Sequence, residues 1–567
     1  MEQSGAVKEN PVQQAARRHA ALWTERSSWI THYKEITDYL LPRAGRYFVE
    51  DTNKGQKRHN AIHDNTGTKA NQTLASGLMS GMTSPARAWF RLTLRDKKLA
   101  EKAAVKAWLH ECATILRAIF ASSNTYRALH MMYEELGPFG TGASIVLPDF
   151  ENVIHHYPLT VGSYALGTDY KGNVNTLVRE FKLTVQQMVD EFGLSNCSPA
   201  VQSAYANKTF DQKFEVRHII APRTTRNYAM KDAKNMKFMS CFYEPSMTGD
   251  GKWLRESGFK RFRVLAPRWN VTAEDTYGTS PGMEALGDIK QLQHQQLRKA
   301  QAIDYQTNPP LQGPTAYKNH AADRLPGGYI GVDGASQNGA VRSAFDVQLN
   351  LQHLAADMAE VRERIRGAFY ADLFLMMAND TRSGVTATEV AERHEEKMLM
   401  LGPVLERLHN ELLTPLIDIA FDDAAEAGIL PPPPPELQGM EINVEFISTL
   451  AQAQRMVAAG GVDRLLTTVS NLANTWPDVR FKVDPMQAID DYGEMFGTNP
   501  ALIVEDDVVE QRVAQAAQAA AAAKMAEAAP GLAQTAKTAS EVDSSNLRDV
   551  MNQFTGYGSP SGQELGA

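Results

Sequence analysis

Two segments in the middle of the chain carry their apolar residues as a single thin line, and no other feature restricts the possible folds as much. In 281–306 the apolar positions are Leu286, Ile289, Leu292, Leu297, Ala300 and Ile303, and most of the remainder is Gln, Lys, Asp and His. So narrow a helical stripe cannot seal a globular core. In the second segment Val347, Leu351, Leu354, Met358, Val361, Ile365 and Ala368 alternate steps of four and three residues, the spacing of a seam between packed helices. At 1.5 Å per residue each helix runs roughly 35 Å. The pair is expected to form a long antiparallel hairpin with 307–346 inserted at its tip. Pro309-Pro310, Pro326-Gly327-Gly328 and Gly331 punctuate that insertion around one apolar run, Tyr329 to Val332, the pattern of a small β-type module.

Helices with thin seams and polar backs gain burial by packing against neighbouring copies, and head-to-tail contacts that close generate a ring. At 567 residues the chain is also too long for one core, so three or four units are expected.

The first 275 residues read as α+β. Ala21, Leu22, Ile30, Tyr33, Ile36, Tyr39 and Leu40 share one side of a helix over 12–41 that stops at Pro42. Thr68 to Met82 is helical in pattern, Trp89 to Leu94 alternates like a strand, and helices follow near 99–120 and 123–136. From 143 to 271 the runs Ala143 to Leu147, Thr176 to Leu183, Phe214 to Ile220 and Phe259 to Leu265 predict strands, with a hairpin turn at Asp169 to Asn173.

Beyond the second seam, Leu373 to Val385 passes from apolar to polar and predicts a loop. Thr386 and Glu389 have capping-box spacing for a third long helix, which Gly402-Pro403 or Pro415 should bend. Pro431 to Pro435 form a stiff spacer. Helical periodicity returns over 444–500, and an Ala- and Gln-rich helix from Val508 gives way after Pro530 to a tail of disordered composition.

Several functions are disfavoured. A net charge of -8 argues against a broad basic surface for gripping nucleic acid. Cys112, Cys197 and Cys241 are too few and scattered for a disulfide framework or a thiolate metal site, which suits a reducing cytoplasm. No Gly-Lys pair is followed by Ser or Thr, so a nucleotide-driven motor is disfavoured. The cluster Gly137-Pro138-Phe139-Gly140-Thr141-Gly142 suits a tight turn before a strand. His59 and His63 lack a third ligand, and His155-His156 would face opposite sides of a strand. Glu389, Glu392, Glu395 and Glu396 lie near Arg393 and Lys397, as on a solvated or subunit-facing helix. No catalytic, cofactor or metal residues are expected, nor a secretory or membrane-spanning segment.

Tyr277-Gly278-Thr279-Ser280-Pro281-Gly282, with Ala285-Leu286, Asp288-Ile289 and later Pro309-Pro310, resembles the motif that opens the stem in head-to-tail connector (portal) proteins of short-tailed, podovirus-type bacteriophages. Asp64-Asn65-Thr66, Leu74-Ala75-Ser76-Gly77-Leu78-Met79, Thr83-Ser84-Pro85 and Trp89-Phe90 look like the N-terminal signature of the family. Thr386-Ala387-Thr388-Glu389-Val390 resembles the start of its long helix. The resemblance covers roughly residues 15–500. Family members often carry a basic residue after Tyr-Gly, where this chain has Thr279.

What the resemblance implies is a predominantly helical α+β portal fold assembled as a ring. Its parts would be an N-terminal wing (1–275), a first stem helix (276–306), a β-type clip (307–346), a second stem helix (347–372), a tunnel loop (373–385), a long wing helix with proline spacer (386–437), a helical crown (438–507) and an Ala-rich helix with tail (508–567). The ring, a dodecamer by resemblance, would sit at one capsid vertex of the virion after assembly in the host cytoplasm and conduct double-stranded DNA. Partners would be the terminase motor, the major capsid and scaffolding proteins and a tail adaptor. A neck or collar ring that conducts no DNA and a packaging ATPase are the alternatives.

On this reading Phe374, Leu375, Met376, Met377, Asn379, Asp380, Thr381 and Arg382 face DNA as a soft collar, Met supplying adaptable contact. Lys290, Arg298, Lys299, Arg362, Arg364 and Arg366 are candidate channel lining, balanced by Glu284, Asp288, Asp304, Asp357, Glu360, Glu363 and Asp372. Near-neutral walls let duplex DNA pass, whereas a strongly cationic wall would trap it by counterion release. Leu286, Ile289, Leu351, Leu354, Met358, Val361 and Ile365 are the expected stem-packing residues.

Overall fold

The computed structural model describes residues 10–47, 55–58, 60–100, 102–230, 232–315, 325–332, 341–344, 352–378, 400–437, 442–447, 465–473, 476–484, 486, 489, 508–509 and 511–520. The chain divides into two units, Met1–Asp463 and Arg464–Ala567.

The first unit opens with α1 (Pro11–Glu25) and α2 (Ser27–Tyr39). Asn10 caps α1, its side chain accepting from Val12 N at 2.8 Å. The expected single helix is broken at Arg26, which is buried, donates to the Tyr164 carbonyl and lies 3.8 Å over the Trp23 ring. Helix α3 (Thr66–Met82), strand β1 (Phe90–Leu94), α4 (Lys97–Ala100), α5 (Ala103–Ser122) and α6 (Thr125–Phe139) follow much as the periodicity predicts.

Strands β2 (Ala143–Asp149), β3 (Val153–Leu159) and β9 (Val264–Leu265) form a three-stranded antiparallel sheet in the order β3-β2-β9. Strands β4 (Tyr164–Thr168), β5 (Val174–Thr184), β6 (Lys213–Pro222), β7 (Phe238–Tyr243) and β8 (Arg255–Phe259) form a five-stranded antiparallel sheet in chain order. The run Phe259 to Leu265 is therefore split between β8 and β9. Two helices absent from the sequence reading lie between β5 and β6, α7 (Val185–Phe192) and α8 (Pro199–Ala206). A capping box of Thr184 and Gln187 starts α7. Val185, Met188 and Phe192 pack with Val216 and Phe242 on one face of the sheet, while Val12, Ala15 and Leu22 of α1 cover Val178, Ile219 and Cys241 on the other.

Helices α9 (Pro281–Glu284) and α10 (Leu286–Thr307) lead to a small sheet of β10 (Leu311–Gly313), β11 (Tyr329–Gly331) and β12 (Arg342–Ser343), with β10 central. Helix α11 (Gln352–Ala368) returns antiparallel to α10. Its successor α12 (Ala371–Ala378) makes 373–378 helical, so the expected loop does not begin at Leu373. Residues 400–408 form α13, and Gly402-Pro403 do not interrupt it. A π-helical turn, His409–Leu413, joins it to α14 (Thr414–Glu426). Pro415 at the start of α14 has no N–H to donate back, and a widened turn of this kind relieves that loss.

Within the expected helical 438–507, residues 442–446 are instead a strand, β13 (Ile442–Phe446). It pairs antiparallel with β1, Phe90 opposite Phe446 and Leu94 opposite Ile442. Ile442, Val444 and Phe446 alternate at the two-residue period of a strand, and a partner some 350 residues away decides the outcome.

One continuous core joins α2, α3, α5, α6, α14 and sheets β1-β13 and β3-β2-β9 to Leu286, Ile289 and Leu292 of α10 and Met358, Val361 and Ile365 of α11. The near halves of both seams are thus buried within a single copy, which corrects the expectation that neighbouring copies cover them. Leu354 is partly buried, and Val347 and Leu351 lie outside the described residues. In the second unit, 465–473 and 511–520 are helical and Pro477–Lys482 is a 3-10 helix.

Candidate functional site

The hairpin of α10 and α11 is anchored through its polar side chains. Gln293 Oε1 accepts from His63 N at 2.6 Å and Asp64 N at 2.8 Å, and Gln293 Nε2 donates to the Asp64 carbonyl at 2.8 Å. Asp64 Oδ1 accepts from Thr66 N at 2.9 Å at the start of α3, while Oδ2 accepts from Arg362 Nη2 at 2.8 Å and Nε at 3.1 Å. One carboxylate therefore joins α3 to α11, and one amide joins the same corner to α10. Burial works to raise the Asp64 carboxyl, but the bonds from Thr66 and Arg362 outweigh it and hold the group below its ordinary range. The Asp64-Asn65-Thr66 signature is a mechanical anchor. Gln293 was missed because one Gln among the six of α10 reads as part of a solvated polar face.

The two glycine motifs, 137–142 and 277–282, are one structure. Gly140 ends α6 at φ +67°, a left-handed position that suits glycine. Gly278 N donates to Thr141 Oγ1 at 2.9 Å, Ser280 Oγ donates to the Pro138 carbonyl at 2.7 Å, and the same Oγ caps α9 by accepting from Met283 N at 3.0 Å. A Cβ on Gly282 would lie 2.8 Å from Pro138 Cα, and one on Gly140 would meet the Gly278 and Thr279 carbonyls. The backbones touch where α9 begins, and side chains would part them. Tyr277 adds a buried hydroxyl that accepts from Leu166 N at 3.0 Å.

The hairpin register is fixed by polar pairs. Arg364 Nη2 lies 3.0 Å from Asp288 Oδ1, and two turns further out Gln295 bonds Asp357. Of the candidate lining cations, Lys290 pairs with Glu35, Arg362 with Asp64, and Arg364 with Asp288 and with Glu360 at 2.9 Å. Arg298 donates to Gln301 Oε1 at 3.1 Å, Lys299 is half-buried and Arg366 is exposed. Much of the positive charge on the α10–α11 hairpin is thus neutralised within one copy.

Phe374 is not on an open surface. It is buried in the core, over Gly77 of α3, where a Cβ would collide with its ring. The Leu74 to Met79 signature thus supplies a seat for α12, and the assignment of Phe374 to the DNA-facing collar is corrected. Leu375 is exposed, and Met376 and Met377 continue the helix. Asn379, Asp380, Thr381, Arg382 and 386–390 lie outside the described residues.

Other candidate groups have structural surroundings. His155 is exposed and His156 fully buried, as strand alternation requires, and burial lowers the imidazole of His156 to about 3. All three cysteines are buried. No helix among the described residues is long and apolar enough to cross a membrane.

Comparison with known proteins follows the same lines. Residues 12–504 match the family model "Bacteriophage head to tail connecting protein". The chain is 54% identical over 543 residues to a "Probable portal protein" of Bordetella phage BPP-1, covering 95% of this chain and 98% of that one. It is 41% identical over 539 residues to the "Portal protein" of Salmonella phage epsilon15, covering 95% and 97%. A chain from the virion of a native gene transfer agent particle aligns over 76% of this chain and 95% of its own at 10% identity and TM-score 0.34, too slight a likeness to carry weight. The chain belongs to the bacteriophage head to tail connecting protein family.

Proposed function

We propose that the chain is one subunit of a phage portal, a ring at a capsid vertex through which double-stranded DNA is packaged and ejected. The observation that carries this reading is the division of the stem. Its near half is locked into the core of one copy, while Leu297 and Ile303, farther along α10, stay 37% and 40% exposed. Leu311, Leu325 and Val341 at the clip are exposed as well. An apolar edge that continues past the core of its own copy favours association with another, and a repeated head-to-tail contact closes into a ring.

The ion pairs along the stem suit conduction. With Lys290, Arg362 and Arg364 already paired, a channel wall built from such hairpins gathers few phosphate counter-charges and lets the duplex slide. Residues 379–385 would form the collar on the DNA. The β10-β11-β12 clip would dock the terminase motor and later the tail adaptor, and the wing would meet capsid and scaffolding proteins. The ring would number about twelve subunits, and the subunit itself would perform no chemical step. A non-conducting neck ring and a packaging ATPase are not favoured beside relatives that bear the portal name.

Electron microscopy of the purified chain tests this directly. A cyclic ring with an axial hole wide enough for duplex DNA is expected, and a well-folded monomer at high concentration would overturn the reading. An ATP hydrolysis assay on the same material should give no turnover.

A further inference from the structure

The five-stranded sheet carries a feature that a conducting channel does not use. Leu177 of β5 pairs with Ile220 of β6, and Phe238 of β7 with Pro222 of β6. The β4–β5 turn and the β6–β7 connection therefore leave from the same end of the sheet, on neighbouring strands about 4.8 Å apart. Each presents a ring with a cation beside it. Lys171 Nζ lies 5.5 Å from the centroid of Tyr170, and the Arg226 guanidinium 4.3 Å from that of Tyr228. Tyr170 is 92% exposed and Tyr228 82% exposed. Aromatic rings normally bury a large apolar area, so two held open at one end of the same sheet call for a partner.

Both connections are held in shape by their own bonds. Asp169 Oδ1 accepts from Lys171 N and Asn173 N at 2.9 Å each. Asn235 Oδ1 accepts from Asn227 N at 2.9 Å, and Asn235 Nδ2 donates to Asp232 Oδ1 at 2.6 Å. Asp169 and Asp232 are engaged in these turns, Glu411 pairs with Arg268 beside the Gly172 carbonyl, and Glu256 pairs with Arg223 at the base of the longer connection. Gly258 of β8 lets the longer connection lie against the sheet, since a Cβ there would be 2.5 Å from the Ala233 carbonyl oxygen. Lys234 and Lys237 are exposed beside Tyr228 in sequence. Lys171, Arg226, Lys234 and Lys237 form no ion pair within 4 Å among the described residues, and the charge of Lys171 acts on Asp169 in its own turn.

We infer that this end of the sheet binds single-stranded nucleic acid, bases stacking on Tyr170 and Tyr228 while Lys171, Arg226, Lys234 and Lys237 meet the phosphates. Stacking on aromatic rings beside a basic track is how unpaired strands are held without sequence preference. A duplex offers phosphates but keeps its base faces inside, and an acidic polypeptide would use the cations without needing two flat rings. The inference concerns the wing surface and is independent of conduction through the channel.

Fluorescence anisotropy with labelled oligo(dT) at low salt, on the full chain in its native oligomeric state, provides the test. Tyr170→Ala and Tyr228→Ala should each weaken binding about tenfold. Arg226→Glu with Lys234→Glu should weaken it and flatten its salt dependence. A duplex of the same length should bind more weakly than oligo(dT). The inference is overturned if the native chain does not bind oligo(dT), or if the tyrosine variants bind it as the native chain does. It is equally overturned if labelled polyglutamate binds with the same loss in those variants, which would indicate an acidic protein partner. A change in oligomer size in the variants, read by light scattering, would make the surface a subunit contact and sink it too.

Discussion

Arg362 Nη2 lies 2.8 Å from Asp64 Oδ2, a pair that ties α11 to the start of α3 across 298 positions of chain. The Gln293 amide grips the backbone of the same corner, so the α10–α11 hairpin is held by polar bonds where it leaves the core.

Arg362→Ala should cost about 1.5–3 kcal/mol, the range for a charge-assisted hydrogen bond, read as a lower urea midpoint at neutral pH. The Asp64 carboxyl is held below its ordinary range. Its contribution is therefore present above the unfolded value, about 3.9, and lost as pH falls through the lower folded value. The gap between native and variant midpoints should narrow below about pH 4.

Enlarging Gly77 should unseat Phe374. Gly77→Val is expected to cost about 1–3 kcal/mol by overpacking, and Phe374→Ala about 3–5 kcal/mol by leaving a cavity. Because the two side chains would compete for one space, the double variant should lose less than the sum. Additive losses in urea unfolding would contradict the contact.

Acid should destabilise the first unit through histidines buried neutral. Burial, with help from Arg217 and Arg26, lowers His19 to about 4, and burial, with help from His155, lowers His156 to about 3. The unfolded chain protonates both near 6.5, so stability is full above that value and falls by about 1.4 kcal/mol per pH unit per histidine until the folded values are reached. His156→Gln should make the decline between pH 6.5 and pH 4 shallower. Glu135 acts in the opposite sense, its carboxyl pushed up by burial to about 8. Its favourable contribution is complete below the unfolded value, about 4.3, and is lost as pH rises to about 8, so Glu135→Gln should flatten the decline between those values.

The two halves of the stem should separate folding from assembly. Leu297→Asp with Ile303→Asp alters exposed positions and should leave unfolding within about 0.5 kcal/mol of native while sedimentation shifts towards smaller species. Ile365→Ala, in the buried half, should instead cost about 2–5 kcal/mol of folding stability. Unchanged assembly in the first variant would count against the open edge as a subunit contact.

Deleting residues 379–385 should leave rings that assemble but hold packaged DNA poorly in a nuclease-protection assay. Full retention would remove the collar from the proposal.

Much of the architecture was readable because its causes are local. The Asp169 to Asn173 turn, the strand at Phe90–Leu94, the end of α2 before Pro42 and the seam spacing of α11 each depend on residues within a few positions. What misled was pattern shared by two structures. Ile442, Val444 and Phe446 sit in a stretch that also fits a helical period, and pairing with β1 made it a strand. Leu373 to Met377 reads as an apolar edge of a loop, and Gly77 gave Phe374 a place in the core instead. Helices α7 and α8 are eight residues each, too short for periodicity to stand out among strands.

By itself the sequence determined the order of elements, the hairpin with its β-type insertion and the family, because periodicity, turn residues and motif spacing are written along the chain. The tertiary structure alone decided how far the seam is buried within one copy, that the two glycine motifs abut, that Gln293 and Arg362 converge on Asp64, and that Tyr170 and Tyr228 leave one end of a sheet. Each of those depends on which distant segments meet, and spacing along a chain carries no record of distance across it.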